Sequence, residues 1–283
     1  MSKGNGNGNG NGKERHGNLI IIGGHEDKNG ESEILAKVAE RVGSGKLVIA
    51  TVGSQEPDEM WKDYKKVFGS LGVKRIEHLH VETREEGLDE KKAKILDGAT
   101  VVFFTGGDQL RITSQLGDTP IYQKLQDMYE RGGTIAGTSA GASVMSGTML
   151  VSGGQDGSPK LGDMIRMAPG FGMIHDVIID QHFAERGRLG RLVAAVSQNP
   201  AHLGIGIDED TAIVVNNGTD FRVLGKGAVY VVDGTETSFS NVAEEKDDQT
   251  LSVFDVKLHL LSDGGCFDLQ ERRPVEAGQQ EEK

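Results

Sequence analysis

The chain has 283 residues, of which 36% are hydrophobic and 26% are charged, and its formal net charge at pH 7 is -12. This length is sufficient for one large domain with a sizeable hydrophobic core. The acidic balance disfavours nucleic acid as a partner, no stretch approaches the length of an apolar membrane span, and the single cysteine, Cys266, excludes a disulfide within the chain. These properties predict a cytoplasmic protein with no signal peptide and no membrane contact.

The N-terminal segment, residues 1–17, is dominated by a Gly-Asn repeat. A segment of this composition cannot bury apolar surface, so we predict a disordered tail. A single α/β domain is expected over residues 18–269. The polar residues 270–283 are expected to form a second disordered tail.

Strand and helix patterns alternate through the first half of the domain. Short apolar runs predict strands at 18–22, 46–52, 99–105 and 133–136, and a further strand is predicted at 75–81. Helical spacing of apolar residues predicts helices at 32–42, 57–71, 89–96 and 120–131, the last with Thr119 as its N-cap and Pro120 at its first position. This alternation predicts a doubly wound, mostly parallel sheet flanked by helices.

The second half becomes rich in strands. A strand at 177–180 and a helix at 184–198 precede strand patterns at 204–207, 211–215, 221–224, 228–232 and 252–261. We predict a strand-rich C-terminal extension of the same domain.

The segment Gly137-Thr138-Ser139-Ala140-Gly141 has the form G-x-S-x-G. It follows a short apolar run and precedes a small-residue segment with helical tendency, 140–149. This is the strand–turn–helix context of a nucleophile elbow, in which the serine hydroxyl is exposed at a tight turn. The motif alone is only moderately specific in a chain with 41 glycines, because a glycine-rich turn can contain an incidental serine.

Polar residues follow three other predicted strands. Gly106-Gly107-Asp108-Gln109 follows one strand, Asp180-Gln181-His182 another, and Asp208-Glu209-Asp210 a third. Ligands of open α/β sheets bind at the carboxyl ends of strands, so we expect these groups to meet Ser139 there. His182 is the best candidate for the base that activates the serine, and His25 is the second.

The carboxylate that would orient this histidine is left open by the sequence. Asp208, Glu209 and Asp210 are consecutive, and strand alternation places Glu209 on the face opposite the other two. Strand geometry alone does not show which face, and therefore which carboxylate, lies near the histidine. No recognised metal-binding motif is present, so neither a metal nor a cofactor is expected.

Three arginines, Arg186, Arg188 and Arg191, follow His182 closely. They could form a solvated basic face of a helix. They could also bind substrate carboxylates, because the planar guanidinium group suits bidentate pairing.

Four motifs taken together resemble the cyanophycinase family: FTGGDQLR at 104–111, GTSAGASVM at 137–145, DQHFAERGRLGRL at 180–192 and GIGIDEDTA at 204–212. The resemblance extends over about residues 17–268. It implies a serine exopeptidase related to aspartyl dipeptidase, with a glutamine-amidotransferase-like fold. It further implies that the substrate is cyanophycin, a poly-aspartate backbone with arginine on each β-carboxyl group, that the product is the β-Asp-Arg dipeptide, and that the protein is a homodimer.

The resemblance also assigns expected roles. Ser139 would be the nucleophile, His182 the base and Glu209 the third member of a catalytic triad, while the oxyanion would be bound by Gly107 and Ala140. The positions expected to shape the dipeptide pocket are Gln109, Asp180, Gln181, Arg186, Arg188 and Arg191. The order Ser, His, Glu along the chain differs from that of ordinary α/β hydrolases.

Two alternatives remain at this point. One is a dipeptidase of the same superfamily that cleaves aspartyl or isoaspartyl peptides, which needs a pocket for one aspartate and fewer arginines. The other is a non-catalytic binding module on an amidotransferase-like fold, in which Ser139 is only a structural turn.

Overall fold

The structure is a computed structural model that describes residues 17–153, 159, 165–244 and 249–275. The predicted tail at 1–16 and the last residues, 276–283, therefore lie outside the described residues. No helix in the described part of the chain is long and apolar enough to cross a membrane.

The first half of the chain alternates strands and helices as predicted. The strands are β1 (Asn18–Ile22), β2 (Leu47–Ala50), β3 (Ile76–Leu79), β4 (Val101–Phe104) and β5 (Thr134–Thr138). The helices are α1 (Glu33–Val42), α2 (Pro57–Ser70), α3 (Arg84–Gly87), α4 (Glu90–Ala93), α5 (Gln109–Leu116), α6 (Pro120–Glu130) and α7 (Ala140–Ser143), with a 3-10 turn at Lys94–Leu96.

The second half is rich in strands and contains one further helix in its described part, α8 (Leu189–Gln198). Its strands are β6 (Thr148–Ser152), β7 (Arg166–Pro169), β8 (Val177–Gln181), β9 (Leu203–Ile207), β10 (Thr211–Asn216), β11 (Asp220–Gly225), β12 (Val229–Asp233), β13 (Phe239–Ser240), β14 (Val253–Phe254), β15 (Lys257–Leu261), β16 (Cys266–Asp268) and β17 (Arg273–Val275).

The main sheet has nine strands in the order β17-β16-β11-β10-β1-β5-β4-β2-β3. The five strands of the first half run parallel, and the C-terminal strands extend the sheet in antiparallel pairs. Alternate residues of β1 face different clusters: Leu19 and Ile21 join the one that contains α5 and α6, while Ile20 and Ile22 join the one that contains α1 and α2. The doubly wound α/β fold with a strand-rich extension is therefore confirmed.

A second sheet, in the order β15-β12-β9-β8, was not predicted as a separate layer. Strands β8 and β9 are parallel neighbours in it. One face of this sheet packs against α8, and Ile179, Leu203 and Ile205 on its other face join the core beneath the main sheet. The strands that lead to His182 and Asp208 therefore end beside the main sheet rather than within it.

Several element boundaries differ from the predictions. The helix after Ser139 ends at Ser143, and the chain then forms β6 instead of continuing as a helix to residue 149. The helix after His182 begins at Leu189, because residues 184–188 form turns that include Gly187 with φ 57°. Helix α5 was not predicted, and strand β17 lies within the predicted C-terminal tail, where it pairs with β16.

Candidate active site

Ser139 lies at the sharp turn between β5 and α7. Its backbone has φ 55° and ψ -115°, a conformation that non-glycine residues rarely adopt. The flanking glycines are required by close packing: a Cβ atom on Gly137 would lie 2.4 Å from the carbonyl oxygen of Gly141, and one on Gly141 would lie 2.5 Å from the carbonyl oxygen of Phe104. The G-x-S-x-G motif thus forms the tight elbow that the sequence predicts.

Ser139, His182 and Glu209 form a connected chain of hydrogen-bonding groups. The Oγ atom of Ser139 lies 3.0 Å from Nε2 of His182, and Nδ1 of His182 lies 2.6 Å from Oε1 of Glu209. His182 is buried, whereas Ser139 and Glu209 are partly exposed. In this geometry Nε2 can accept the serine proton while the carboxylate stabilises the resulting imidazolium ion.

The three consecutive carboxylates after β9 have different contacts. Asp208 is buried and accepts hydrogen bonds from the backbone N–H groups of Ala184 and Ala228. Asp210 accepts a hydrogen bond from the N–H group of Asp27 and forms an ion pair with Lys226. Glu209 alone of the three contacts His182, which resolves the choice that strand alternation leaves open.

The loop after β4 lies beside the serine. A Cβ atom on Gly106 would lie 3.4 Å from Cβ of Ser139, so Gly107 directly follows a residue that packs against the serine. Asp108 fixes this loop, because its N–H group donates to the carbonyl of Gly53 and its side chain caps α5. Ala140 is the first residue of α7. The structure therefore brings both predicted oxyanion positions close to Ser139.

Two of the three predicted arginines converge on one buried carboxylate. Asp180 is 1% exposed and accepts hydrogen bonds from Nη1 of Arg188, at 3.0 Å, and from Nε of Arg191, at 2.7 Å. Nη1 of Arg188 also donates to Oε1 of Gln181. Two guanidinium groups share one carboxylate, so the cluster has an excess positive charge that suits an anionic ligand.

Burial lowers the pKa of Arg188 to about 10; the negative charge of Asp180 opposes this shift, and the positive charges of Arg191 and Arg186 add to it. Arg186 is exposed and lies in the turn before α8, and its positive charge helps to lower the pKa of His182. Gln109 is at the start of α5, and its side-chain amide donates to the carbonyl of Leu150. This hydrogen bond ties the Gln109 side chain to the backbone of β6 rather than to the arginine cluster.

The pKa of His182 is lowered from its ordinary value. Burial is the main cause, and the positive charge of Arg186 and the neighbouring His25 act in the same direction. The hydrogen bond and the negative charge of Glu209 oppose this shift. The neutral imidazole, which is the form that can accept a proton, is therefore favoured to lower pH than in an ordinary histidine.

Glu26 is a buried residue of this region to which the sequence analysis assigned no role. Its carboxylate accepts hydrogen bonds from the hydroxyl groups of Tyr64, on α2, and of Thr138, immediately before the serine, the latter at 2.6 Å. Burial and this carboxylate raise the pKa of Tyr64. Its place two residues after the paired glycines that follow β1 is the only sequence signal, and it does not reveal these partners.

His25 also contacts Glu209, the last residue in the chain of hydrogen bonds that begins at Ser139. Its Nδ1 atom lies 3.2 Å from Oε2 of Glu209, so the two carboxylate oxygens face two different imidazole rings. Among the described residues, His25, His182 and Glu209 form a group whose potential metal-ligand atoms all lie within 4.8 Å of one another. The sequence ranked His25 as an alternative base, but its contact is with the carboxylate.

A cleft of about 1160 Å³ lies away from this site. Its lining includes His175, Val177 and Leu203, at the starts of β8 and β9, whereas His182 and Glu209 follow the other ends of these strands. None of the predicted site residues lines this cleft.

An α/β fold with a strained elbow serine that contacts a histidine, which in turn contacts a carboxylate, defines the class of serine-type hydrolases. Residues 19–223 match the model of peptidase family S51, and the chain belongs to this family. It is therefore a peptidase.

Relatives named cyanophycinase share much of the sequence. The chain is 38% identical over 257 residues to the protein from Synechococcus elongatus, covering 90% of this chain and 80% of that protein. It is 40% identical over 263 residues to the protein from Trichormus variabilis, covering 92% and 88%, and 36% identical over 260 residues to that from Geminocystis herdmanii, covering 91% and 95%. The resemblance predicted from the four motifs is confirmed.

Solved structures support the fold. A peptidase from an acI-B1 actinobacterium superposes with a TM-score of 0.66 at 23% identity, covering 90% of this chain and 98% of that one. A putative peptidase E from Listeria monocytogenes gives a TM-score of 0.52 at 17% identity, covering 75% and 100%.

Proposed function

We propose that the chain is a serine exopeptidase that hydrolyses cyanophycin, multi-L-arginyl-poly-L-aspartate, to β-Asp-Arg dipeptides. The observation that carries this proposal is the contact of Ser139 with His182 and of His182 with Glu209, at 3.0 and 2.6 Å. Relatives of 36 to 40% identity named cyanophycinase support the choice of substrate.

The reaction begins with attack of the Ser139 hydroxyl on the scissile carbonyl carbon. Nε2 of His182 takes the hydroxyl proton, and Glu209 stabilises the imidazolium ion that forms. The backbone N–H groups of Gly107 and Ala140 bind the oxyanion of the tetrahedral intermediate. His182 then gives its proton to the leaving amine, an acyl-enzyme remains on Ser139, and water activated by the same histidine releases the product.

The cluster around Asp180 supports recognition of a charged dipeptide unit. Arg188 and Arg191 are held by the buried carboxylate, so their remaining donors are oriented before substrate binds. Arg186 adds a third positive charge at the edge of the site. Gln181 belongs to the same cluster through its contact with Arg188, whereas a role for Gln109 in substrate binding rests on the family resemblance. Such a site disfavours substrates without a matching carboxylate, since buried charges would be left unpaired.

The proposal is tested by incubating the purified chain with insoluble cyanophycin and determining the mass of the soluble product. Release of β-Asp-Arg dipeptide by the wild-type chain, and none by Ser139→Ala, supports it. An aspartyl or isoaspartyl dipeptidase is the second candidate, since the family also resembles aspartyl dipeptidase. Cleavage of small aspartyl peptides without release from cyanophycin would favour that candidate, and a folded chain inert toward both would favour a binding module.

We further infer, from the resemblance alone, that the protein is a cytoplasmic homodimer. The chain mass is 30.3 kDa, so light scattering coupled to size-exclusion chromatography separates a dimer from a monomer directly. A molar mass equal to one chain at micromolar concentration contradicts the dimer.

A further inference from the structure

The carboxylate of Glu209 has an imidazole ring on each of its oxygen atoms. Oε1 contacts Nδ1 of His182 at 2.6 Å, and Oε2 contacts Nδ1 of His25 at 3.2 Å. The two rings are nearly perpendicular, with centroids 5.2 Å apart. One carboxylate and two imidazoles thus meet at a single point next to Ser139.

We propose that these three side chains form an inhibitory zinc site. Nitrogen and oxygen ligands of Zn²⁺ lie about 2.0–2.2 Å from the metal, and a tetrahedral arrangement therefore separates two ligand atoms by roughly 3.3 Å. The contact between His25 and Glu209 already has this length. The ligand atoms of all three residues lie within 4.8 Å of one another, so small side-chain rotations bring them to one ion.

The position of the group also allows the metal to enter. The side chain of His25 is 74% exposed and that of Glu209 is 26% exposed, whereas that of His182 is 4% exposed. A zinc ion from solvent would meet His25 and Glu209 first and then the buried ring. Three protein ligands leave the fourth tetrahedral position to water, as in other three-ligand zinc sites.

Charged groups around the three ligands both favour and oppose the binding of a cation. The carboxylate of Glu185 accepts a hydrogen bond from the backbone N–H group of Glu209 and adds negative charge near the site. The positive charge of Arg186, which lowers the pKa of His182, opposes binding of a cation. With both rings neutral, the three ligands together have one negative charge, which favours a divalent ion.

Zinc at this position would stop proton transfer. In the resting site Nδ1 of His182 carries the proton donated to Glu209, and Nε2 has the free lone pair that faces Ser139. Zinc on Nδ1 displaces that proton to solvent, and Nε2 of the neutral ring takes up a proton from solvent in its place. The lone pair that would accept the serine proton is lost, and the carboxylate is withdrawn from the ring at the same time. The inhibition mechanism rests on the proposed catalytic function, but the binding site does not.

The experiment measures zinc binding and inhibition separately. Zinc chloride is titrated into the full chain in competition with a chromophoric chelator, and inhibition is measured in the same buffer. Loss of an outer-shell partner alone typically costs about 10- to 100-fold in metal affinity. We therefore expect His25→Ala to raise both the Kd for zinc and the half-inhibitory zinc concentration at least about tenfold. His182→Ala should weaken zinc binding similarly, which reports on the site without any activity measurement.

The matched control is His175→Ala, because His175 lies in the cleft at the opposite ends of the strands. It should bind zinc like the wild-type chain, and magnesium chloride at the same concentration should not inhibit, because Mg²⁺ prefers oxygen ligands. Zinc affinity that is unchanged by His25→Ala overturns the site. So does a wild-type chain that binds no zinc, whether or not it hydrolyses cyanophycin.

Discussion

Gly24 lies directly against the ring of His182: a Cβ atom at position 24 would lie 2.3 Å from Cε1 and 2.6 Å from Nε2 of that ring. Side chains do not tolerate such contacts, so the backbone after β1 limits where the imidazole can lie. Gly24 also has φ 115°, which favours glycine. The second of the two glycines after β1 thus packs against the proposed catalytic base.

Gly24→Ala is therefore expected to displace His182 and to lower kcat for dipeptide release by at least about 100-fold, since a shift of about 1 Å can have that effect. The matched control is Gly72→Ala, whose backbone has φ 89° but whose Cβ atom would meet nothing within 4 Å. Both substitutions place a Cβ atom on a backbone with positive φ, but only the one at Gly24 places that atom against the ring of His182. Equal kcat values for the two variants would contradict this account of Gly24.

Asp180→Asn is expected to weaken substrate binding. The substitution keeps the shape of the side chain but removes the charge that holds Arg188 and Arg191 together, so KM should rise at least about tenfold through loss of charge-assisted hydrogen bonds. KM is measured with a soluble cyanophycin fragment.

Asp233→Asn is the control for Asp180, because Asp233 is also buried and pairs with an arginine, Arg272, at 3.0 Å, but does so away from the site. It should lower stability without changing KM. If both variants raise KM equally, the arginine cluster has no special role in binding.

The pH profile follows from the lowered pKa of His182. Activity requires the neutral ring, so kcat/KM should fall as the pH drops through this pKa, at a pH below the ordinary histidine value. Arg186→Gln removes a positive charge that disfavours the imidazolium ion, which should raise the pKa of His182 and move the acidic limb to higher pH. Profiles normalised to their maxima separate this shift from weaker binding; a limb that stays in place or moves to lower pH contradicts the charge effect.

Glu26→Ala is expected to destabilise the fold by about 1–3 kcal/mol, because the hydroxyl groups of Tyr64 and Thr138 would lose their buried acceptor. Urea denaturation gives the free energy of unfolding. Glu40→Ala is the control: its pair with Lys37 is exposed and should change stability by less than about 1 kcal/mol. Similar losses in the two variants would mean that Glu26 is not a structural acceptor.

Much of the parallel half of the fold could be predicted because its strands are continuous apolar runs buried on both faces, as Val101–Phe104 shows. The residue pattern of a strand does not show which other strands pair with it. The strand predicted at 204–207 is present as Leu203–Ile207, but its pairing with Val177–Gln181 in a second sheet depends on contacts that no local pattern shows.

The same limit applies to the site. Ser139 and His182 could be located because each follows a strand, but the partners of Asp208 are backbone groups at positions 184 and 228. No spacing rule identifies such partners, so only the family resemblance pointed to Glu209. The small residues after Ser139 have a weak helical signal, which is why the predicted helix extended to 149 although α7 ends at Ser143.

The most direct test of the central claim compares Ser139→Ala with Ser143→Ala in release of β-Asp-Arg dipeptide from cyanophycin, with circular dichroism to confirm folding. Both substitutions remove one hydroxyl group from the same turn and helix, but Ser143 is buried and does not contact His182 in the described structure. We predict that Ser139→Ala abolishes release and that Ser143→Ala retains most of it. A folded Ser139→Ala variant that keeps a tenth or more of wild-type turnover would contradict the assignment of Ser139 as the nucleophile.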